Sequence, residues 1–261
     1  MPDSNSVVIV TGASSGIGRA AAIEFSRHKY RVSLSGRNED EMLKVLKECE
    51  AAGAQNVTTT IGDLRDSTIA HDLVEHTVKK FGRLDVLVNC AGILVNGTVE
   101  ESDLKSYDKV FDVNVRSVIQ LTKYAIPHLV KTEGSIVNVS SVAGPCAFPG
   151  VTYYCMSKAA LDQFTKCLAL ELAPKGVRVN AVNPGVIVTS IHKRAGMSEE
   201  EYAKHLVFSS SPTQRRRTRW AVQGTSEEVA KGIFFLASKD AAFTTGHLLM
   251  QDGGRNLMTP R

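Results

Sequence analysis

Tyr154 and Lys158 stand four positions apart, a phenol and an ammonium that can handle one proton between them. The run that follows, Ser157 to Leu172, spaces Ala, Leu and Phe at helical intervals and meets no breaker until Pro174. A helix that begins just before Tyr154 puts positions i and i+4 on one face, so both groups point into the same space. A buried ammonium beside a phenol favours the phenolate, which predicts a lowered pKa for Tyr154. Such a tyrosine can take a proton from an alcohol or give one to a carbonyl oxygen. Tyr153 is the poorer candidate. Five positions from Lys158 amount to a rotation of roughly 140°, so those two side chains diverge, and Tyr153 reads as packing or as a pocket wall. Proton transfer at a carbonyl or alcohol is half of a redox reaction, and the other half needs a hydride carrier.

The start of the chain offers a seat for one. Val7–Val10 reads as a short buried parallel strand that runs into Thr11-Gly12-Ala13-Ser14-Ser15-Gly16-Ile17-Gly18 and then into helical sequence. Glycines between a strand and a helix let backbone N–H groups approach a pyrophosphate at the positive helix end. The spacing G-x-x-x-G-x-G in that context is a variant of the dinucleotide fingerprint. The second strand, Arg31–Ser35, ends in Gly36-Arg37-Asn38. An acidic residue about 20 positions after the glycines would bind the adenosine ribose and favour NAD. Gly36 and Arg37 stand there instead. A guanidinium can grip a 2′-phosphate with two hydrogen bonds, which argues for NADP; the plainer alternative is an Arg37 that faces solvent.

Further helices are predicted over Glu39–Ala52, Ser67–Phe81 and Glu227–Ala237, and one long helical stretch over Glu101–Lys131, which Pro127 should kink or end. Further strands are predicted at Val57–Ile61, Leu84–Val88, Gly134–Ser141, Val177–Val182 and His247–Gln251. Asp63, after the third strand, could accept from an adenine amino group or serve as a turn or cap. The small residues of Asn89-Cys90-Ala91-Gly92 suit a backbone that passes close to a ligand. Asn114 lies inside an apolar-sided helix and needs partners, whether backbone, water or the site itself. The alternation of strand and helix, with no linker or repeat, predicts one α/β domain over residues 1–261. It would be a Rossmann-like doubly wound parallel sheet of about seven strands with helices on both faces. Ligands then lie beyond the C-terminal strand ends, where the polar motifs fall.

Bulk properties narrow the class. With 43% hydrophobic and 22% charged residues, the 261-residue chain is neither disordered nor fibrous. Its net charge of +4 is too mild to imply nucleic acid or a membrane surface. No apolar run approaches the roughly 20 residues of a membrane span. Five scattered cysteines without a Cys-x-x-Cys suggest reduced thiols in a cytoplasmic protein. His71 and His76 are five apart on a predicted helix and read as surface residues, and no metal site is expected.

Assembled in this order, the motifs resemble those of the short-chain dehydrogenase/reductase family. They are TGASSGIG at Thr11–Gly18, NCAG at Asn89–Gly92, Asn114, the serine strand end, YCMSK at Tyr154–Lys158 and NPG at Asn183–Gly185. The resemblance runs from Thr11 to about Gly254. It implies Tyr154 as catalytic acid/base, with Lys158 lowering its pKa and holding the nicotinamide ribose. Ser141, whose spacing to the tyrosine fits better than that of Ser140, would hold the substrate carbonyl. Asn114 would anchor a water linked to Lys158. The implied cofactor seat comprises Gly12, Ser14, Ser15, Gly16, Ile17, Gly18, Arg37, Asn38, Asp63, Leu64, Asn89, Ala91, Gly92, Tyr154, Lys158, Pro184, Gly185, Ile187 and Thr189. Thr189 would orient the nicotinamide carboxamide. Cys90 departs from the usual second asparagine, and Ser15 stands where many NADP-preferring relatives carry Lys or Arg. NADP therefore rests on Arg37 and on the missing acid.

On the same layout Val142, Ala143, Cys146, Phe148 and Val151 would line an apolar substrate pocket, with Ser141, Ala143, Phe148 and Tyr154 as substrate contacts. That suits NADPH-dependent reduction of a lipophilic ketone (steroid-, retinoid- or xenobiotic-like). A substrate lid is expected at about 190–223. Its Arg215-Arg216-Arg217 run reads as a solvated basic face or as a patch steering an anionic carrier. The second meaning favours a 3-oxoacyl thioester, on acyl-carrier protein or coenzyme A, as the alternative substrate. A non-catalytic nucleotide-binding protein is the reading from another class. Family membership also implies a homotetramer or homodimer built on the two long helices.

Overall fold

The computed structural model describes residues 5–189, 191–196, 198, 200 and 223–257. Seven parallel strands form one sheet in the order β3-β2-β1-β4-β5-β6-β7. They are β1 (Val7–Thr11), β2 (Arg31–Gly36), β3 (Asn56–Ile61), β4 (Val86–Asn89), β5 (Ser135–Val139), β6 (Arg178–Pro184) and β7 (Leu248–Gln251). The strand order reverses direction between β1 and β4, where a crevice opens past the carboxyl ends of both.

Strand β1 shows why the central strands read as continuous apolar runs: it is buried on both faces. Val8 and Val10 point to one side, into a core with α1 (Gly16–Arg27), α2 (Glu39–Ala52) and α8 (Ser226–Ala237). Val7 and Ile9 point to the other, into a core shared with α3 (Ser67–Phe81), α5 (Ser117–Thr132) and α6 (Thr152–Leu172). Each of these helices buries one apolar stripe against the sheet. Between them lie α4 (Leu104–Phe111) and, past β6, the short α7 (Ile191–Arg194).

The long helical stretch differs from expectation. It is α4, then a π-turn over Asp112–Arg116, then α5. Pro127 neither ends nor divides it, since α5 continues through that residue to Thr132. The break comes earlier, at Asn114, where a wider turn re-aims a buried amide; period alone cannot signal it. Strand β5 stops at Val139, immediately before the serines and two residues short of its expected end at Ser141. Ser140 and Ser141 therefore sit in the turn that follows, and their side chains still diverge. Ser140 Oγ donates to the Lys158 carbonyl (3.2 Å), while Ser141 Oγ accepts the Ala143 N–H (3.1 Å).

Most of the expected substrate lid lies outside the described residues, including Arg215, Arg216, Arg217 and Arg219. Among the described residues, no helix is long and apolar enough to cross a membrane, and no cluster of His, Cys, Asp or Glu could hold a metal ion.

Candidate active site

Helix α6 presents Tyr154 and Lys158 on one buried face, as the i, i+4 spacing requires. The Lys158 ammonium lies 5.6 Å from the Tyr154 ring centroid and donates to the Val139 carbonyl at 2.9 Å. The Ser141 hydroxyl favours the ionised form of the Tyr154 phenol, and both residues line the same cleft. Tyr153 turns away, as expected. Its ring packs edge-on against Tyr107, and its hydroxyl reaches the Ser102 carbonyl at 3.5 Å.

One expectation is corrected. Burial, opposed by the Ser141 hydroxyl, pushes the Tyr154 phenol up to about 12, and burial brings Lys158 down to about 8. Desolvation penalises the charged form of each group, and here it outweighs their pairing. The protein alone thus holds a neutral phenol beside an ammonium that gives up its proton easily.

Asn114 sits beneath this pair and not on the cleft wall. Its side chain accepts the Ile93 N–H (2.8 Å), donates to the Ile93 carbonyl (2.9 Å) and donates to Ser157 Oγ (3.0 Å). It thereby pins Ile93, just past the Asn89–Gly92 segment, to α6. Asn114 Oδ1 and Lys158 Nζ both face Gly92: a Cβ there would lie 3.4 Å from the first and 3.6 Å from the second. Asn89 likewise lies behind the wall, donating to Thr122 Oγ1 (3.2 Å) and Asn138 Oδ1 (2.9 Å). It ends β4 with its side chain buried, and it does not line the cleft.

The remaining expected cofactor residues line one cleft of about 990 Å³. They are Gly12, Ser14, Ser15, Gly16, Ile17, Gly18, Arg37, Asn38, Asp63, Leu64, Ala91, Gly92, Tyr154, Lys158, Pro184, Gly185, Ile187 and Thr189. Gly12 has φ +64°, and a Cβ there would meet the Ala91 backbone at 2.9 Å, so only glycine lets the first loop pass this closely. The first turn of α1 carries no acid, and its N-cap Ser15 side chain does not cap it. Gly16, Ile17 and Gly18 of that turn line the cleft, and the free N–H groups of a helix start are the local chemistry of an anion seat. The donor set fits a dinucleotide phosphate.

The rim beside that seat is cationic and exposed. Arg65 grips the Asp63 carboxylate (2.8 Å at its closest) and holds it below the usual carboxylate range, while Arg37 stands 3.9 Å from the same carboxylate. Asp63 is thus engaged by arginines on both sides. Asn38, besides lining the cleft, caps α2 by accepting the Glu41 N–H at 3.0 Å. Sequence reasoning missed Arg194. From α7 it reaches back across the cleft and donates to Ser15 Oγ at 3.1 Å. Nothing in a linear reading pairs positions 15 and 194; only the fold brings them together.

At the other end Leu94, Ala143 and Tyr154 form a small apolar cluster, with Phe148, Val151 and Ile191 packed against it. Val142, Ala143, Phe148 and Val151 line the cleft as expected, but Cys146 does not. Arg255, which sequence reasoning also passed over, lies over the Phe148 ring at 5.1 Å and lines the same cleft.

With this geometry in view, known proteins place the chain. A family model described as Enoyl-(Acyl carrier protein) reductase matches residues 12–256. A 3-oxoacyl-[acyl-carrier-protein] reductase of Thermotoga maritima is 36% identical over 249 residues, covering 95% of this chain and 96% of the relative. A meso-2,3-butanediol dehydrogenase of Serratia marcescens is 34% identical over 250 residues, covering 96% and 94%. A short-chain dehydrogenase/reductase of Caenorhabditis elegans, solved with cofactor, superposes with a TM-score of 0.92 at 35% identity, covering 98% of this chain and 96% of that one. The motif order, the sheet and the relatives agree, and the chain belongs to the short-chain dehydrogenase/reductase family of oxidoreductases, which act on alcohol and carbonyl groups with a nicotinamide cofactor.

Proposed function

We propose that the protein is an NADP(H)-dependent reductase of a lipophilic ketone, with Tyr154 as its acid/base. The observation that carries this reading is the meeting of Ser141 and Tyr154 at the floor of an otherwise apolar cluster. A carbonyl oxygen fits between these two donors, and an apolar body fits against Leu94, Ala143, Phe148 and Val151. Bound nicotinamide supplies the hydride for the carbonyl carbon. Ser141 Oγ holds the oxygen, and Tyr154 Oη delivers the proton to it. Lys158, with its ammonium in the same buried space, stabilises the phenolate that remains. Asn114 keeps the Gly92 backbone and α6 in register, so that the ammonium and the phenol share one wall.

Three arginines support the phosphate preference. Arg37, Arg65 and Arg194 border the adenosine end; Arg37 and Arg65 share the Asp63 carboxylate, and Arg194 reaches Ser15. An NAD site places an acid on the ribose, which would repel a 2′-phosphate, whereas the guanidinium groups of this rim would attract one. Arg194 supplies the cation that Ser15 lacks.

The test is a fluorescence titration with NADPH and with NADH, followed by a panel of ketones. Tighter NADPH binding and turnover of a bicyclic or steroidal ketone are expected. Tighter NADH binding would sink the cofactor reading. Tight NADPH binding with no carbonyl reduced would favour a non-catalytic nucleotide binder. A second reading, reduction of a 3-oxoacyl thioester, is favoured by Arg255 at the substrate end, a cation suited to an anionic carrier, and by the kinship with a 3-oxoacyl-[acyl-carrier-protein] reductase. Acetoacetyl-CoA in the panel separates the two. Exposed Leu104, Met156 and Leu170 on α4 and α6 suit assembly as a homodimer or homotetramer, which light scattering would read.

A further inference from the structure

The stripe that places Tyr154 and Lys158 on one face of α6 continues to a third titratable group, Asp162, at the next i+4 position. Its carboxylate is buried and plays no part in the chemistry derived above. Both of its oxygens accept from the Asn183 side-chain amide, at 3.0 and 3.1 Å. The same amide nitrogen donates to the Ser141 carbonyl at 2.9 Å. The Ser140 hydroxyl also favours the ionised Asp162, and it donates to the Lys158 carbonyl at 3.2 Å. Gly144 closes the cage, since a Cβ there would collide with the carboxylate. One buried carboxylate thus ties three pieces together: the helix of Tyr154 and Lys158, the turn that carries Ser141, and the end of β6 that leads into Pro184 and Gly185.

We propose that Asp162 is a positioning residue of the active site, bracing Ser141 through Asn183 and acting as the buried counter-charge of the Lys158 ammonium. The inference rests on the reading of Tyr154 and Lys158 given above. Burying an ion is unfavourable unless it is paired and hydrogen-bonded. An apolar residue would have filled the space between α6 and the serine turn without that cost. A carboxylate adds two things an apolar residue cannot: acceptors for Asn183, and a negative charge one helical turn from an ammonium. The charged and titratable groups that act on this pair are Cys90, from the end of β4, and Lys166, further along α6. Tyr154 shares the stripe. Neither Cys90 nor Lys166 duplicates the role: the Cys90 thiol is pushed up to about 12 by burial and so stays neutral near pH 8, and Lys166 has the same sign as Lys158.

The test reads Lys158 directly. In protein carrying 13C at the lysine ε-carbons, one resonance should titrate near pH 8 and be missing from Lys158→Met. In Asp162→Asn that titration should move down by about one pH unit. Turnover of 2,3-butanedione and acetoacetyl-CoA with NADPH should fall about tenfold or more, with KM and NADPH affinity within about threefold of the parent. Asn183→Ala removes the brace and keeps the charge, so it should slow turnover and leave the Lys158 titration in place. Asp162→Ser carries the same expectation as Asp162→Asn if the latter does not accumulate folded. An unmoved Lys158 titration in the folded Asp162 variant would overturn the proposal, even with a lowered thermal midpoint. So would Asn183→Ala moving the titration as far as Asp162→Asn does. A Lys158 titration that follows Asp162 in a protein that reduces no carbonyl would sink the function proposed above and leave this inference standing.

Discussion

The two ends of the cleft solve different electrostatic problems. At the end beside the glycine turn the charges are exposed, numerous and unevenly matched: Arg37 and Arg65 on Asp63, and Arg194 on Ser15. At the Tyr154 end they are few, buried and framed by hydrogen bonds: Lys158 on the Val139 carbonyl and Asp162 on Asn183. Water screens the first set, so each member is worth little alone and the sum sets a preference. The second set is desolvated, so a change in any member moves proton affinities and reaction rates. On the function proposed above, selectivity between cofactors is a surface property and reactivity an interior one.

Tyr154→Phe should break the contrast most sharply. Loss of the proton donor is expected to lower kcat by about 10²- to 10⁴-fold while NADPH affinity stays within a few-fold, measured by steady-state kinetics beside fluorescence titration. Near-parental turnover would remove Tyr154 from the mechanism.

The pH dependence of stability comes next. Lys158 is drawn from 10.5 down to about 8 in the folded protein. Between those values the unfolded chain binds more protons, so stability rises with pH across that window, and the penalty is complete below about pH 8. Relative to Lys158→Met, the parent should gain on the order of 3 kcal/mol between pH 8 and pH 10.5, read by denaturant melts at each pH. Tyr154, pushed up to about 12, works in the opposite sense above pH 10 in both proteins and cancels from the difference. Parallel curves for the two proteins would mean that the ammonium is solvated after all.

Effects at the exposed end should be smaller. Arg37→Asp is expected to cut the NADPH-to-NADH affinity ratio about 10- to 100-fold, and added salt should erode the parental ratio. Arg65→Ala should do least, less than about fivefold, by releasing Asp63 to pair with Arg37. If Arg65→Ala matched Arg37→Asp, the rim would be acting as one network and not as a sum of weak, screened pairs.

What could be read from the chain follows the same division. Strand–helix alternation, the glycine turn and the Tyr154–Lys158 spacing are local in sequence, and the fold keeps all three. The i+4 arithmetic that selects Lys158 reaches Asp162 too. A helical pattern does not reveal that the carboxylate is buried, because Asn183 and Gly144, which enclose it, arrive from other elements. Arg194 and Ser15 meet only through tertiary structure. The π-turn at Asn114 is invisible to a period count, since one widened turn barely disturbs an apolar stripe. The lowered phenol pKa failed for a related reason: spacing shows that two groups share a space, and only the surroundings show how dry that space is.

The strand order β3-β2-β1-β4-β5-β6-β7 also carries a kinetic meaning. Beginning from β1, synthesis adds β2 and then β3 on one flank, then β4, β5, β6 and β7 in succession on the other. Each new strand docks on an existing margin, and none must wedge between two that are already paired. A parallel sheet is dominated by non-local contacts and is slow to close, with unpaired margins exposed meanwhile. Laid down in this order, the sheet grows by accretion as the chain leaves the ribosome, and at each stage only its outermost strands await a neighbour.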